Sequence, residues 1–204
     1  MARLEVPLFD RLSVTYDRGM APLESLWLRR MRGQLLSHAG SAVLEIGVGT
    51  GANLPFFSSV CSLTAVDESA DMLSITARRA DALGRSLNLS QINAEHLAFA
   101  SGHFDTVIAS LVLCSVVDPE VVLGELRRVL RKPGGQLLLL EHMRPNSRLL
   151  AWLVDRLNGP WCAMNGRCHL NRETQKAVVT AGFVIDRLET RLGGLLRLIV
   201  AHTP

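Results

Sequence analysis

The stretch Val43-Leu44-Glu45-Ile46-Gly47-Val48-Gly49-Thr50-Gly51 limits what this chain can become more than any other. Its opening is a short, mostly apolar run with β-branched members, the pattern of a buried strand, and three glycines follow at alternate positions. Glycine carries no Cβ, so a ligand can lie directly against the backbone at the strand's end. Glu45 stands just before the first glycine, and Asp67 closes the next apolar run about 20 residues later, the separation at which an acidic group meets ribose hydroxyls. A glycine turn with such a carboxylate points to a nucleoside ligand. Gly47-Val48-Gly49-Thr50-Gly51-Ala52 also fits the pattern that holds a dinucleotide pyrophosphate, so NAD remains an alternative at this point.

The rest of the chain supplies the context that such a turn needs. Strands are expected at Ala42 to Ile46, Leu63 to Val66, Leu89 to Ile92, Phe104 to Ser110 and Gln136 to Leu140, alternating with helices. One helix is expected near Asn53. Another is capped by Ser69, with Asp71 in its first turn, and a third opens at Asp118-Pro119-Glu120 and stops at Lys132-Pro133-Gly134-Gly135. This alternation predicts an α/β fold with a doubly wound, mainly parallel sheet. The right-handed crossover rule then brings the ends of strands one, two, four and five around one crevice, with Cys114, Ser115, Glu141 and His142 at its rim.

Two segments lie outside the simple alternation. Residues 1–38 read as an N-terminal helical cap, with a helix from Phe9 to His38 and the only tyrosine, Tyr16, ahead of the apolar stripe Trp27, Met31 and Leu35. Residues 144–171 read as a segment over the acceptor side. In it Ser147 to Leu157 forms an amphipathic helix that Asn158-Gly159-Pro160 breaks. With Arg148 and Arg156 beside its apolar face, this helix suits a membrane surface, the roof of a lipophilic pocket, or packing on the sheet. The chain closes on Phe183 to Leu188 and Leu195 to Ala201, two further strands, and reads as one domain over 1–204.

Composition narrows the setting. A net charge of +3 on 204 residues, without a long basic run, argues against nucleic acid as a partner. Four cysteines without a C-x-x-C pair fit a reduced, cytoplasmic location. Glu5 and Pro7 interrupt the start of the chain, and no apolar run reaches about 18 residues, so no spanning segment is expected. Cys162, Cys168 and His169 match no common zinc-ligand spacing, and no metal is expected.

Taken together, Leu44 to Gly51, Val66-Asp67, Asn93-Ala94-Glu95, Phe104-Asp105-Thr106-Val107 and Leu126 to Gly135 resemble the ordered motifs of class I S-adenosylmethionine-dependent methyltransferases. The resemblance implies a Rossmann-like, seven-stranded sheet whose last strand runs antiparallel; the N-terminal helical cap, ahead of the first strand, reads as a lid over the ligand or as a helix filling a sheet edge. It implies S-adenosylmethionine as the cofactor. Gly47, Gly49 and Gly51 would then pass the methionine part with Glu45 supporting the loop, and Asp67 would hold both ribose hydroxyls. Asn93 and Ala94 would face the adenine edge, and Ser110 and Leu111 would lie beside the amino-acid end. Within that superfamily, Ser110-Leu111-Val112-Leu113-Cys114-Ser115-Val116, Glu141-His142 and Gly166-x-Cys168-x-Leu170-x-Arg172-Glu173-Thr174 are similar to alkyl-thiol methyltransferases. Tyr16-Asp17 and the general layout are shared with ubiquinone-pathway and phospholipid methyltransferases. The expected reaction is therefore methyl transfer to a small or lipid-like acceptor, thiol sulfur before a phospholipid amine or quinone, with peripheral membrane contact as a further expectation. His142 is the candidate base and Tyr16 the residue that closes on cofactor or acceptor. The rival reading is a non-catalytic protein that binds the same cofactor.

Overall fold

The computed structural model describes residues 17–22, 24–165 and 167–204. A seven-stranded sheet runs through its centre: β1 (Ala42–Ile46), β2 (Ser62–Asp67), β3 (Asn88–Gln91), β4 (Thr106–Ser110), β5 (Gln136–His142), β6 (Val184–Arg191) and β7 (Leu196–His202). Their order is β3-β2-β1-β4-β5-β7-β6. β1 pairs in parallel with β2 on one side and β4 on the other. The chain reverses direction across the sheet at β1, which opens a crevice beyond the carboxyl ends of β1 and β4. β7 inserts antiparallel between β5 and β6, as the resemblance implies.

Central strands of a parallel sheet are covered on both faces and so read as continuous apolar runs. Leu137 to Leu140 of β5 are fully buried, as are Val107 to Ala109 of β4. One face packs Leu44, Val107 and Leu139 against Val122, Leu126 and Val129 of α3 (Pro119–Val129) and Val178 of α5 (Thr174–Thr180). The other packs Val43, Ile108 and Leu138 against Met31 and Leu35 of α1 (Arg29–Leu36) and Ala80 of α2 (Ala70–Ala82). The caps behave as their residue types require. Ser69 Oγ accepts from Met72 N at 3.2 Å, and the Asp118 carboxylate accepts from Glu120 N and Val121 N ahead of Pro119.

Three local expectations need correction. The helix expected near Asn53 is a single tight turn, Leu54–Phe56, because Pro55 and the buried Leu54 turn the chain back towards β2. The helix of the acceptor-side segment does not break at Gly159-Pro160: α4 runs unbroken as Arg148–Asn165. Its second half is held by tertiary bonds, Asn158 Oδ1 accepting from Leu170 N at 2.9 Å and Cys162 Sγ donating to the Cys168 carbonyl at 2.9 Å, which offset the hydrogen bond that proline removes. The N-terminal helix is not uniform either, since a wide π-type turn, Glu24–Leu28, precedes α1. Residues 17–22 are helical, and Tyr16 lies outside the described residues.

Candidate functional site

A crevice of about 770 Å³ opens where β1 and β4 end, and its wall begins with the glycine turn. At Gly47 φ is +58°, and a Cβ there would lie 2.5 Å from Val112 Cγ2, so both the backbone conformation and the space demand glycine. Gly49 donates its N–H to Asp67 Oδ2 at 2.8 Å, while Ser69 N donates to Asp67 Oδ1 at 3.0 Å. The carboxylate is thus fixed at the tip of β2 by two backbone donors. Each carboxylate oxygen has two acceptor positions, so acceptor capacity remains beyond these backbone donors. Burial raises the Asp67 pKa above the ordinary range, and the Ser69 and Gly49 N–H groups oppose that shift. Gly51 serves packing and not the crevice: a Cβ on it would come within 2.9 Å of Leu54 Cδ1.

Glu45 also stays off the crevice wall and anchors a buried polar chain behind it. Asn53 Nδ2 donates to Glu45 Oε1 at 2.8 Å and to Ser110 Oγ at 3.0 Å, and Arg32 Nη1 donates to Asn53 Oδ1 at 2.8 Å. Arg32 is in turn paired with Glu24 at 2.7 Å. Glu45 Oε2 is buried with no partner. Burial pushes the Glu45 carboxyl up to about 7, against the Asn53 bond and the nearby Arg32 charge. This chain ties α1, the glycine turn and β4 together. The sequence gives little warning of Arg32 or Asn53, since neither lies in a recognisable motif.

Along the other wall, Asn93 and Ala94 follow β3, with Met72 and Ile92 adding apolar surface. Asn93 Oδ1 is occupied by Glu95 N at 2.8 Å, so it is the amide donors of that side chain that suit a ligand acceptor. Glu68 and Arg167 face each other across the crevice edge at 3.8 Å.

The turn after β4 closes the crevice. Leu111 takes φ +61°, a conformation that non-glycine residues adopt only when their surroundings hold them there. Two side chains do the holding. Glu141 Oε1 accepts from Val112 N at 2.7 Å and Leu113 N at 2.8 Å, and the Arg172 guanidinium donates to the carbonyls of Leu113 and Val116, the latter at 2.7 Å. Glu141 is fully buried beneath the turn instead of reaching the rim, and burial lifts its pKa to about 7. Ser110, Leu111, Ser115 and Val116 line the opening.

Behind that wall Cys114, His142 and Cys168 come together, with the two sulfurs 3.8 Å apart. Their shared hydrogen bond holds the Cys168 pKa well below that of an ordinary thiol, with help from His142 and Trp161 and against burial, and it pushes Cys114 above it. Nδ1 of His142 is buried without a partner. Over the glycine turn, Asp17 accepts from Thr50 Oγ1 at 2.7 Å and pairs with Arg79, so the N-terminal segment is latched to the loop that it overlies.

Of the candidate cofactor-binding residues, Gly47, Gly49, Asp67, Asn93, Ala94, Ser110 and Leu111 all border this one crevice, whereas Glu45 and Gly51 shape it from behind. His142 sits apart from the crevice wall, in the sulfur cluster.

A methyltransferase-domain family model matches residues 44–139. The chain is 38% identical over 154 residues to thiol S-methyltransferase TMT1B of Rattus norvegicus, covering 72% of this chain and 62% of that protein. It is 32% identical over 183 residues to thiol S-methyltransferase TMT1A of Homo sapiens, covering 85% of this chain and 72% of the relative. The chain thus spans less than two thirds of the TMT1B length. Among solved structures, a SAM-dependent methyltransferase of Thermotoga maritima superposes with a TM-score of 0.72 at 21% identity, covering 97% of this chain and 99% of that one. At that identity the likeness speaks for the fold alone.

Proposed function

The chain belongs to the class I S-adenosylmethionine-dependent methyltransferases, and from that membership we propose that it methylates a small lipophilic acceptor, a thiol sulfur by preference. The carrying observation is the Asp67 carboxylate, held by Gly49 and Ser69 with acceptor capacity left over, beside a glycine turn in which Gly47 has no room for a Cβ. The residues present fit the cofactor. Asp67 would take the ribose hydroxyls, the amide of Asn93 and the backbone at Ala94 the adenine edge, and the Gly47 to Gly49 backbone with Ser110 and Leu111 the amino-acid end. When bound, S-adenosylmethionine would supply an electrophilic methyl group on a sulfonium, open to in-line attack by an acceptor thiolate with S-adenosylhomocysteine as the leaving group.

The protein's own contribution is placement in a dry site. Glu141 and Arg172 fix the turn from Leu111 to Val116, so the acceptor side of the crevice is set without a mobile loop. A thiol must also lose its proton before it attacks. His142 stands beside the two sulfurs behind the crevice wall, so any action on the acceptor is shared with them. Replacing it by asparagine is expected to slow methylation of an alkyl thiol about tenfold or more, with affinity for S-adenosylhomocysteine unchanged. Steady-state kinetics beside calorimetric titration measures both, and an unaltered rate would remove His142 from the reaction. Tyr16 keeps its proposed role of closing over the bound molecules, read from the sequence alone.

The reading is tested by incubating the protein with S-adenosylmethionine and a panel of alkyl thiols, amines and quinols, and by detecting methylated product with mass spectrometry. A thioether formed in step with S-adenosylhomocysteine is the expected result. Tight cofactor binding with no product across the panel would favour a non-catalytic binding protein.

A phospholipid or quinone acceptor is the second reading, and α4 favours it. Leu149, Trp152, Leu157 and Met164 are exposed along this helix, Met164 to 79%, and the Arg156 guanidinium lies 5.3 Å from the Trp152 ring centroid. Although no helix among the described residues is long and apolar enough to cross a membrane, such a face suits the plane of a bilayer. Flotation with vesicles containing anionic phospholipid is expected to carry the protein at low salt, less at high salt, and less for Trp152→Glu. Absence of flotation at every salt concentration would leave only the soluble-acceptor reading.

A further inference from the structure

Cys114 lies in the turn after β4, His142 ends β5, and Cys168 lies between α4 and α5, so 54 residues of chain separate the two cysteines. Folding brings one ligating atom of each within 4.8 Å of the others. Two thiolates held about 2.3 Å from a tetrahedral cation stand about 3.8 Å apart, since the ligand angle fixes that distance. Cys114 Sγ and Cys168 Sγ are 3.8 Å apart. A disulfide would need them at about 2.05 Å, so no covalent bond joins them, and the spacing of their hydrogen bond is one that two ligands of a single cation can keep. A buried imidazole nitrogen without a partner is costly unless something completes it, and His142 Nδ1 is such an atom.

The backbone around the three groups is already fixed. His169 N donates to the Cys114 carbonyl at 2.8 Å, which staples the Cys168 segment to the turn. Cys162 Sγ donates to the Cys168 carbonyl at 2.9 Å, and Glu141, next to His142, holds Leu113 N at 2.8 Å. Sites arranged by such outer contacts bind metal without reorganising.

We propose that Cys114, His142 and Cys168 form a three-ligand site for zinc, with the fourth coordination position open for water or for the sulfur of the acceptor. Two sulfurs and one imidazole are a soft donor set, suited to zinc and not to magnesium or calcium. On binding, any protons still on the two sulfurs pass to solvent, and two thiolates with a neutral imidazole balance the dication. Among the described residues no fourth His, Cys, Asp or Glu joins the group, and three protein ligands with an open position are the pattern of a reactive zinc site. Ser115 and Arg167, the chain neighbours of Cys114 and Cys168, line the crevice, so the trio lies directly behind that wall. The spacing of Cys162, Cys168 and His169 along the chain gives no reason to expect a metal. The fold pairs Cys168 with two residues from other motifs instead.

The acceptor role of the fourth position rests on the thiol-methylation reading, whereas metal binding does not. The test is therefore made on the full chain without acceptor first. Protein stripped with chelator, then dialysed against zinc, is expected to retain one ion per chain by elemental analysis. Competition with a chromophoric chelator is expected to show at least about 100-fold weaker binding for Cys114→Ser, Cys168→Ser and His142→Asn, as loss of a ligand requires. Cys61→Ser is expected to match wild type. With cobalt in place of zinc, sulfur-to-metal charge-transfer absorption is expected in wild type, reduced in Cys168→Ser, and shifted when an alkyl thiol is added. Titration with S-adenosylhomocysteine on each sample reports whether the fold and the cofactor site survive. Wild type that retains no zinc while binding S-adenosylhomocysteine overturns the metal site and leaves the methyltransferase reading standing, as does retention of zinc by Cys168→Ser equal to that of wild type. Zinc bound through the trio without any cofactor affinity would support the site and sink the other reading.

Discussion

Asp67→Ala is expected to lower the affinity for S-adenosylhomocysteine by about 100- to 20,000-fold. Two hydrogen bonds from hydroxyls to a charged carboxylate contribute about 1.5 to 3 kcal/mol each, and each factor of ten corresponds to about 1.4 kcal/mol. The substitution also frees the N–H groups of Gly49 and Ser69, which the carboxylate now fixes, so the glycine turn loses its register with β2. Asp67→Asn separates the two effects, because an amide oxygen can keep one backbone donor while the charge is gone. Isothermal titration gives the numbers. An affinity that Asp67→Ala leaves within a factor of about three, less than 1 kcal/mol, would mean that the ribose is held elsewhere.

The second large effect is on stability. Glu45 is buried and its carboxyl is pushed to about 7 in the fold from 4.5. Below pH 4.5 the group is protonated in both folded and unfolded chains, and it contributes no pH dependence. Between that value and about 7 the folded protein retains a proton that the unfolded chain has lost, so stability falls as pH rises. Above that window both states are ionised and the full penalty, about 3 kcal/mol, remains. Glu45→Gln removes the titrating group while keeping an oxygen for Asn53. The stability gap between wild type and variant is therefore expected to move by about 2 to 3 kcal/mol from pH 5 to pH 8, in favour of the variant at the higher pH. Urea unfolding followed by circular dichroism at both values measures it. Glu141, which has a similar shift, is present in both proteins and cancels. Parallel pH profiles would show that Glu45 remains charged in the fold.

Much of the cofactor side is legible in the sequence because backbone geometry writes it there. The β1 run, the glycines and Asp67 sit close together in the chain, and each residue type has one physical reason to stand where it does. β1 is legible to the residue, Ala42–Ile46, and the expected β5 falls short by two residues only because Glu141 and His142 are polar. What escapes is assembled over long distances. Arg32, Asn53 and Ser110 meet behind Glu45 from three elements, and nothing local marks them as partners. Glu141 looks like a rim residue in the sequence because it ends an apolar strand, yet the turn it supports draws it inside. Gly159-Pro160 looks like a helix end because propensity is the only information the sequence offers there, whereas Asn158 and Cys162 hold the helix together through residues 168–170.

The two halves of the crevice are built with different permanence. The cofactor side is woven into the sheet through β1, β2 and β4. The segment proposed to meet the acceptor includes α4, whose polar ties to the rest include Arg144 with Asp155 at 2.8 Å, Asn158 with Leu170 and Cys162 with Cys168. Residues on the outer face of that helix can change without disturbing any strand. On the proposed reading, such a scaffold separates the reagent from its target: the choice of acceptor can vary with the 144–171 segment, while the residues that hold the methyl donor stay woven into the sheet.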